Sequence, residues 1–219
     1  MESSISSTRR CGACCRDHGQ LSNADWQHRY DNAMTGWDRG RPSPILSRWV
    51  ESGDLQPCEI LVPGCGRGHE VIAFAEAGFT VTAVDFADAA VQSLEKELDR
   101  RGLQANVVQT DVFAFCQSKS FDAIYEQTSL CAIDPSQWET YQQLMACWLR
   151  PGGKLFACFM QSDKAGGPPF TCDISAMRRL FEEPTWQWPD DPVAAAERVE
   201  HPSGMHELAY ILTRKESEQ

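Results

Sequence analysis

No stretch of this chain approaches the roughly 18 to 20 consecutive apolar residues that cross a bilayer, and the opening MESSISSTRR has no apolar core of the kind a secretory signal carries. A cytoplasmic protein with no membrane partner is therefore expected. Basic residues are also short: 20 Lys and Arg stand against 31 Asp and Glu, a formal net charge of -11. Affinity for nucleic acid comes mainly from Lys and Arg neutralising phosphates, so no nucleic-acid partner is expected. A second metal-ligand pair is missing as well. Cys11, Cys14, Cys15 and His18 have the residue types of a zinc site, yet no further pair follows at a fixed spacing. Residues 1–20 are expected to form a disordered leader, and no metal ligands are assigned. The remaining cysteines are scattered, several within apolar runs, which suits reduced, buried thiols better than a disulfide framework.

What is present is an ordinary globular composition, 42% hydrophobic and 23% charged over 219 residues, enough for one α/β domain with a sizeable core. NADWQHRYDNAMTGWDRGRPSPILSRWVESG reads as a short amphipathic helix, a loop around Thr35 to Pro44, and a second helix ending near Gly53. Strands and helices then alternate. CEILVP is a strand, GHEVIAFAEAG a helix stopped by Gly78, FTVTAVD a strand, and ADAAVQSLEKELDRRG a helix closed by Gly102. ANVVQTD and FDAIYEQ follow as strands, then a helix from Asp134, its expected N-cap, through the Pro151-Gly152-Gly153 stretch. KLFACFM is the fifth strand and ELAYILTRK the last. This alternation implies right-handed crossovers and a parallel sheet covered on both faces. The expected fold is α/β, a doubly wound, mostly parallel, seven-stranded Rossmann-like sheet in a single domain over residues 21–215. Its ligand is expected at the carboxyl ends of the strands, near the switch point.

The turn ILVPGCGRGHEV falls there, after the first strand. Gly64, Gly66 and Gly68 allow close backbone approach, and the following helix presents unpaired N–H groups. His69 stands where a dinucleotide fingerprint has its last glycine, which disfavours a nicotinamide cofactor. Asp85 closes the second strand about 20 residues on, where a carboxylate can accept from both hydroxyls of a ribose. Asp111 ends the third strand, suited to an adenine amino group beside Val112 and Phe113; Glu126 ends the fourth, suited to the cationic amino group of a methionine tail. A pyrophosphate is poorly placed at such an acidic rim, whereas a cationic sulfonium fits it. Each residue also has a plainer role: the glycines in making the turn, Asp85 and Asp111 as helix caps, Glu126 as a solvated rim residue. Their joint occurrence at successive strand ends points to S-adenosylmethionine.

From Trp26 onward the sequence resembles the thiopurine S-methyltransferase family, including thiol and halide methyltransferases, through WQHRYDNAMTGWDRGRPSP, LVPGCGRGHEV, FDAIYEQTSLCAIDP and GGPPF. The resemblance implies a class I methyltransferase fold with an N-terminal helical lid. It assigns Trp26, Tyr30 and Trp37 to that lid over the cofactor, with Trp37 near the acceptor, and aromatic faces suit a sulfonium and adenine. It matches Gly64, Gly66, Asp85, Asp111, Val112 and Glu126 to cofactor positions. GGPPF, residues 166–170, is implied to loop over the acceptor side, with Arg39 and Arg41 flanking the same mouth. Gln127 stands where the animal thiopurine enzymes have arginine, a departure from thiopurine specificity. The implied reaction is S-methylation of a small thiol, with halide, selenium or tellurium acceptors as alternatives, by a monomer. No general base is assigned, because a thiol is already partly ionised at neutral pH and a halide needs no deprotonation. Cys65 and Cys131 are read as packing. An NAD-dependent oxidoreductase is disfavoured by His69 and by the lack of a catalytic tyrosine-lysine pair; a non-catalytic S-adenosylmethionine-binding module is the remaining alternative.

Overall fold

The computed structural model describes residues 21–117 and 119–216. The Cys11, Cys14, Cys15 and His18 group and the expected leader lie outside them. Helix α1 (Asn23–Asp31) starts at a capping box, in which the Ser22 hydroxyl accepts from the Asp25 N–H and the Asp25 carboxylate accepts from the Ser22 N–H. Pro44 opens α2 (Pro44–Glu51), where a missing N–H costs nothing. There follow β1 (Glu59–Pro63), α3 (His69–Glu76), β2 (Thr80–Asp85), α4 (Asp88–Arg101), β3 (Asn106–Gln109) and β4 (Phe121–Gln127). Then come α5 (Trp138–Trp148), β5 (Leu149–Gln161), α6 (Ile174–Leu180), β6 (Trp186–Gln187), β7 (Glu197–Glu200) and β8 (His206–Arg214).

The strands run in the order β3-β2-β1-β4-β5-β8-β6, with β7 paired to β8 off this path. Strands β1 to β5 are parallel and β8 is antiparallel to β5. Among the described residues the sheet has eight strands, against seven expected and six with a readable pattern; the two unread ones are β6, two residues long, and β7, four, too short for a readable alternation. The helix expected from Asp134 is also shorter. Asp134 caps a 3-10 turn (Pro135–Gln137), α5 follows it, and β5 begins directly at Leu149. Pairing between β4 and β5 slips between Phe121 and Ala123, so that Leu149 pairs with Phe121 and Lys154 with Ala123. Gly152, at a φ of 74°, makes the intervening bend possible.

Side chains of the parallel strands alternate between two buried faces. Ile60, Val62, Ala123, Tyr125, Phe156 and Cys158 join Trp49 of α2, Phe74 of α3 and Leu94 of α4 in one cluster. Leu61, Ile124, Leu155, Ala157 and Phe159 join Tyr141 and Met145 of α5 and Met177 of α6 in the other. No helix among the described residues is long and apolar enough to cross a membrane.

The chain leaves β1 toward β2 and β3 and returns to β4 on the other side, so the switch point lies between β1 and β4. There Gly68, the N-cap of α3, has a φ of 74°, and a Cβ on it would stand 2.3 Å from Leu94 Cδ1. This is the close-packing glycine of the turn, set against α4. Gly78 has a φ of 87° with open space around it. Gly68→Ala is expected to destabilise the protein by about 2–5 kcal/mol, the sum of left-handed strain and overpacking. Gly78→Ala should cost only the strain, about 1–2 kcal/mol. Urea denaturation of the two variants checks the difference.

Candidate active site

A cavity of about 370 Å³ opens over the carboxyl ends of the strands. Its wall follows the strand order: Asp111 and Val112 after β3, Asp85 and Phe86 at β2, Gly64 to Arg67 after β1, Tyr125 and Gln127 on β4, Met160 on β5, and His201, Ser203 and Met205 from the β7–β8 turn. One end therefore belongs to β3 and β2, the other to β5 and β8.

At the first end Asp85 is buried, yet both its oxygens are engaged: Oδ2 accepts from the Gly66 N–H at 2.9 Å and Oδ1 from the Ala87 N–H at 2.9 Å. Burial pushes its carboxyl up and these N–H groups pull it back. A Cβ on Gly64 would stand 2.7 Å from Ser129 Oγ, and one on Gly66 would stand 3.1 Å from the Tyr30 hydroxyl. Both glycines thus let other parts of the chain close on the turn, Ser129 from below and the lid from above. Asp111 is exposed and accepts from the Phe113 N–H at 2.9 Å, past the end of β3, while Val112 is buried. Neither Asp85 nor Asp111 is a helix cap: α4 is preceded by Ala87 with no side-chain cap, and a turn, not a helix, follows Asp111; each accepts the N–H two residues on and stands on the cavity wall.

The lid is α1 and the loop after it. Asn23 Nδ2 donates to the Phe86 carbonyl at 3.0 Å, and Gln27 Oε1 accepts from the Ala89 N–H at 3.1 Å, docking α1 on the β2–α4 turn. Trp37 meets Trp26 edge-on at 5.2 Å between ring centroids and Tyr30 at 5.7 Å. All three line the cavity. His69 holds the loop down through Nε2, 2.8 Å from Asp38 Oδ1, with Arg67 3.5 Å from the other oxygen.

At the second end a buried polar chain runs beneath the wall. The Tyr125 hydroxyl donates to Gln127 Oε1 at 2.9 Å, and Gln127 Nε2 donates to Glu207 Oε2 at 2.8 Å. Arg39 Nη2 donates to the same oxygen at 2.8 Å, and Arg39 Nη1 to the Glu200 carbonyl at 2.6 Å. Glu207 is completely buried; burial pushes its carboxyl up to about 7 while the Arg39 guanidinium pulls it down. Arg39 lines the cavity, and there it is ion-paired with Glu207. Arg41 lines the cavity too and is exposed. Pro168 and Pro169 of GGPPF also line it, and the Phe170 N–H donates to the Cys131 carbonyl at 2.7 Å. Cys65 and Cys131 lie on the wall as buried thiols, both pushed well up by burial.

Glu126 departs from expectation. It is not on the cavity wall, where Tyr125 and Gln127 stand instead. Alternation along β4 turns it to the opposite face, where Oε1 accepts from the Leu130 N–H at 2.6 Å. It is neither a solvated rim residue nor placed for a ligand's amino group. Asp38, Gln127, His201 and Glu207 went unread as a set because their partners lie far along the chain, up to 168 residues apart for Arg39 and Glu207.

Burial pushes the Glu126 carboxyl up to about 8, against the pull of the Leu130 N–H. Between the ordinary value of 4.5 and about 8 the native chain keeps a proton that the unfolded chain has lost. Its contribution to stability is full below that window and lost as pH rises through it; Glu207 adds the same slope up to about 7. Urea denaturation is expected to lose more than about 1 kcal/mol of stability between about pH 5 and 8. Glu126→Gln can still accept the Leu130 N–H and should flatten the loss, chiefly by a gain near the upper limit. A wild-type profile that is flat over this range contradicts the assignment.

The sequence and fold have counterparts among known proteins. A sequence profile of the family described as thiopurine S-methyltransferase matches residues 21–214. A probable thiol methyltransferase 2 of Arabidopsis thaliana is 30% identical over 163 residues, 73% of this chain and 72% of the relative. Thiocyanate methyltransferase 1 of the same plant is 30% identical over 167 residues, 75% of this chain and 74% of the relative. In fold, the chain is similar to the 1,6-didemethyltoxoflavin-N1-methyltransferase of Burkholderia thailandensis, solved with S-adenosylhomocysteine, at a TM-score of 0.71, 22% identity and coverage of 89% of this chain and 87% of that one. With a Rossmann-like sheet, a cavity at its switch point and a profile match across that whole architecture, the chain belongs to the thiopurine S-methyltransferase family.

Proposed function

We propose that this methyltransferase moves the methyl group of S-adenosylmethionine to a small, soft nucleophile, a thiolate in the first instance and a halide as a second acceptor. The observation that carries this reading is the division of the cavity by strand order. The β3 and β2 end offers Asp85, Asp111 and Val112 under the Trp26, Tyr30 and Trp37 lid; the β5 and β8 end is walled by Met160, Met205, Pro168 and Pro169. The first set suits an adenosine with a sulfonium, which aromatic faces attract. The apolar, polarisable groups of the second set suit a soft acceptor, with Gln127, His201 and Ser203 beside them on the same wall. The names of the Arabidopsis relatives, a thiol and a thiocyanate methyltransferase, support a soft acceptor.

S-adenosylmethionine supplies a methyl carbon on a cationic sulfur: the acceptor sulfur forms the new S–C bond as the old one breaks, its electron pair staying on the cofactor sulfur. The chain's part is to align the two sulfurs and keep water out. Asp85 fixes the ribose end, the lid covers the adenosine, and the proline loop closes the acceptor side. The acceptor's proton is lost to solvent before binding, because a thiol near pKa 8.5 is about a few per cent thiolate at neutral pH.

Purified protein given S-adenosylmethionine with methanethiol, hydrogen sulfide or iodide should release dimethyl sulfide, methanethiol or methyl iodide, read by headspace gas chromatography beside S-adenosylhomocysteine formation. Absence of product across thiols, halides and thiopurines would falsify the reading. Asp85→Asn should weaken S-adenosylmethionine binding in calorimetry at least about tenfold, the scale of one lost charge-assisted hydrogen bond.

A further inference from the structure

The methionine tail of the cofactor ends in a cationic amino group, and Glu126, the acid expected to receive it, faces away from the cavity. The acids on the cavity wall are Asp38, Glu70, Asp85 and Asp111. Asp38 is taken by His69 and Arg67. Asp85 accepts two backbone N–H groups at the end assigned above to the ribose, and Asp111 stands past β3, further from the acceptor end. Glu70 remains. It is the second residue of α3, directly after the glycine turn. With the adenosine over β3 and β2, the sulfur and its tail come next in strand order, over the β1 turn and the start of α3. Glu70 Oε1 accepts from the Ser43 N–H at 3.0 Å, which fixes the carboxylate against the start of α2. Oε2 receives no hydrogen bond from another residue among the described ones, and it is not a sealed atom: Glu70 is partly buried and lines the cavity.

Taking a carboxylate out of water is costly unless a cation or a set of donors meets it. Burial raises the Glu70 carboxyl, while the Ser43 N–H and its own N–H pull it back. The cations that act on it, His69 and Arg39, do so from beyond ion-pair distance, because they are bonded to Asp38 and Glu207. We propose that Glu70 Oε2 accepts a hydrogen bond from the α-ammonium of S-adenosylmethionine and so anchors the methionine tail at the start of α3. This rests on the reading of S-adenosylmethionine as the methyl donor. The start of a helix suits the arrangement, since the carboxylate also meets the positive end of the α3 dipole and stays ionised for the ligand. S-adenosylhomocysteine carries the same ammonium, so the contact is made alike with the donor and with the spent cofactor. Such uniform binding sets affinity and does not act on the methyl-transfer step itself. Glu70 therefore holds the tail, Asp85 the ribose, and the sulfur between them is fixed from both sides.

Calorimetry with S-adenosylhomocysteine and with its analogue lacking the α-amino group tests the inference, in a cycle with Glu70→Gln. That variant keeps an oxygen for the Ser43 N–H and loses the charge. Wild-type protein should bind S-adenosylhomocysteine at least about tenfold more tightly than the analogue, the scale of one charge-assisted hydrogen bond. Glu70→Gln should lower the affinity for S-adenosylhomocysteine about as much and leave that for the analogue within about twofold, so that the preference disappears. Equal binding of the two ligands by the wild-type chain overturns the inference. An equal loss of both in Glu70→Gln also overturns it, by making Glu70 a support for α2 and the turn, and so does an undiminished preference, by placing the ammonium elsewhere. If Glu70→Gln does not fold, wild-type protein with ¹³C-labelled glutamate decides: the Glu70 carboxyl signal should shift with S-adenosylhomocysteine and stay with the analogue, and equal responses overturn the inference. Failure of the wild-type protein to bind either S-adenosylmethionine or S-adenosylhomocysteine instead overturns the functional reading beneath it.

Discussion

Glu207 sits on β8 with no exposed surface, and a carboxylate in that position must either meet a cation or take up a proton. Arg39 meets it at 2.8 Å, from a loop that is otherwise on the far side of the cavity. This pair ties the lid to the sheet. The same guanidinium reaches the Glu200 carbonyl on β7, and the same carboxylate oxygen receives Gln127 from β4, so lid, central strand and terminal hairpin converge on one ion pair. Such a pair is weak evidence for net stability, since desolvation offsets the attraction, but removing one partner leaves a buried charge at a cost of about 3–5 kcal/mol. Its consequence here is geometric: it sets how far the lid stands from the acceptor wall.

A second clasp works at the other end of the loop. Asp38 takes His69 at the start of α3 and Arg67 just before it. Adjacent residues Asp38 and Arg39 thus bind opposite ends of the cavity with opposite charges. The chain carries a net charge of -11, and in the loop between α1 and α2 Asp38 and Arg39 are each paired locally.

Much of the architecture could be read along the chain because it rests on local regularities. The β1–α3 turn and the strand-helix alternation each follow from residues within a few positions of one another. The aromatic lid was legible only through resemblance; its three rings have no spacing that excludes plain packing. Glu126 was misplaced because a strand end marks height on the sheet and leaves the side open. Parity along β4 then decides, and Tyr125 and Gln127 take the cavity. The ion pair of Arg39 was not legible because Glu207 enters from β8, 168 residues later. His201 had one usable signal, the Pro202-Ser203-Gly204 turn before the final strand, which predicts a hairpin but not which way its side chains face.

The same geometry explains why titratable groups so close to the reaction site take no proton from the acceptor. Glu207, pushed up to about 7, has the pKa of a general base. It is nevertheless sealed beneath Arg39 and Gln127 and is absent from the cavity wall, so no acceptor proton can reach it directly. Cys65 and Cys131 do reach the wall, but burial holds both as thiols, and a neutral thiol neither abstracts a proton nor competes for the methyl group. Glu70 lines the cavity, yet it accepts the Ser43 N–H at 3.0 Å and burial keeps its carboxyl raised. In the proposed reaction, the nucleophile therefore arrives already ionised. A site with an active base would serve weakly acidic hydroxyls and amines, whereas one that only aligns and desolvates serves thiolates and halides. The preference for soft acceptors in the proposed reaction rests as much on the engagement of these groups as on Met160, Met205, Pro168 and Pro169.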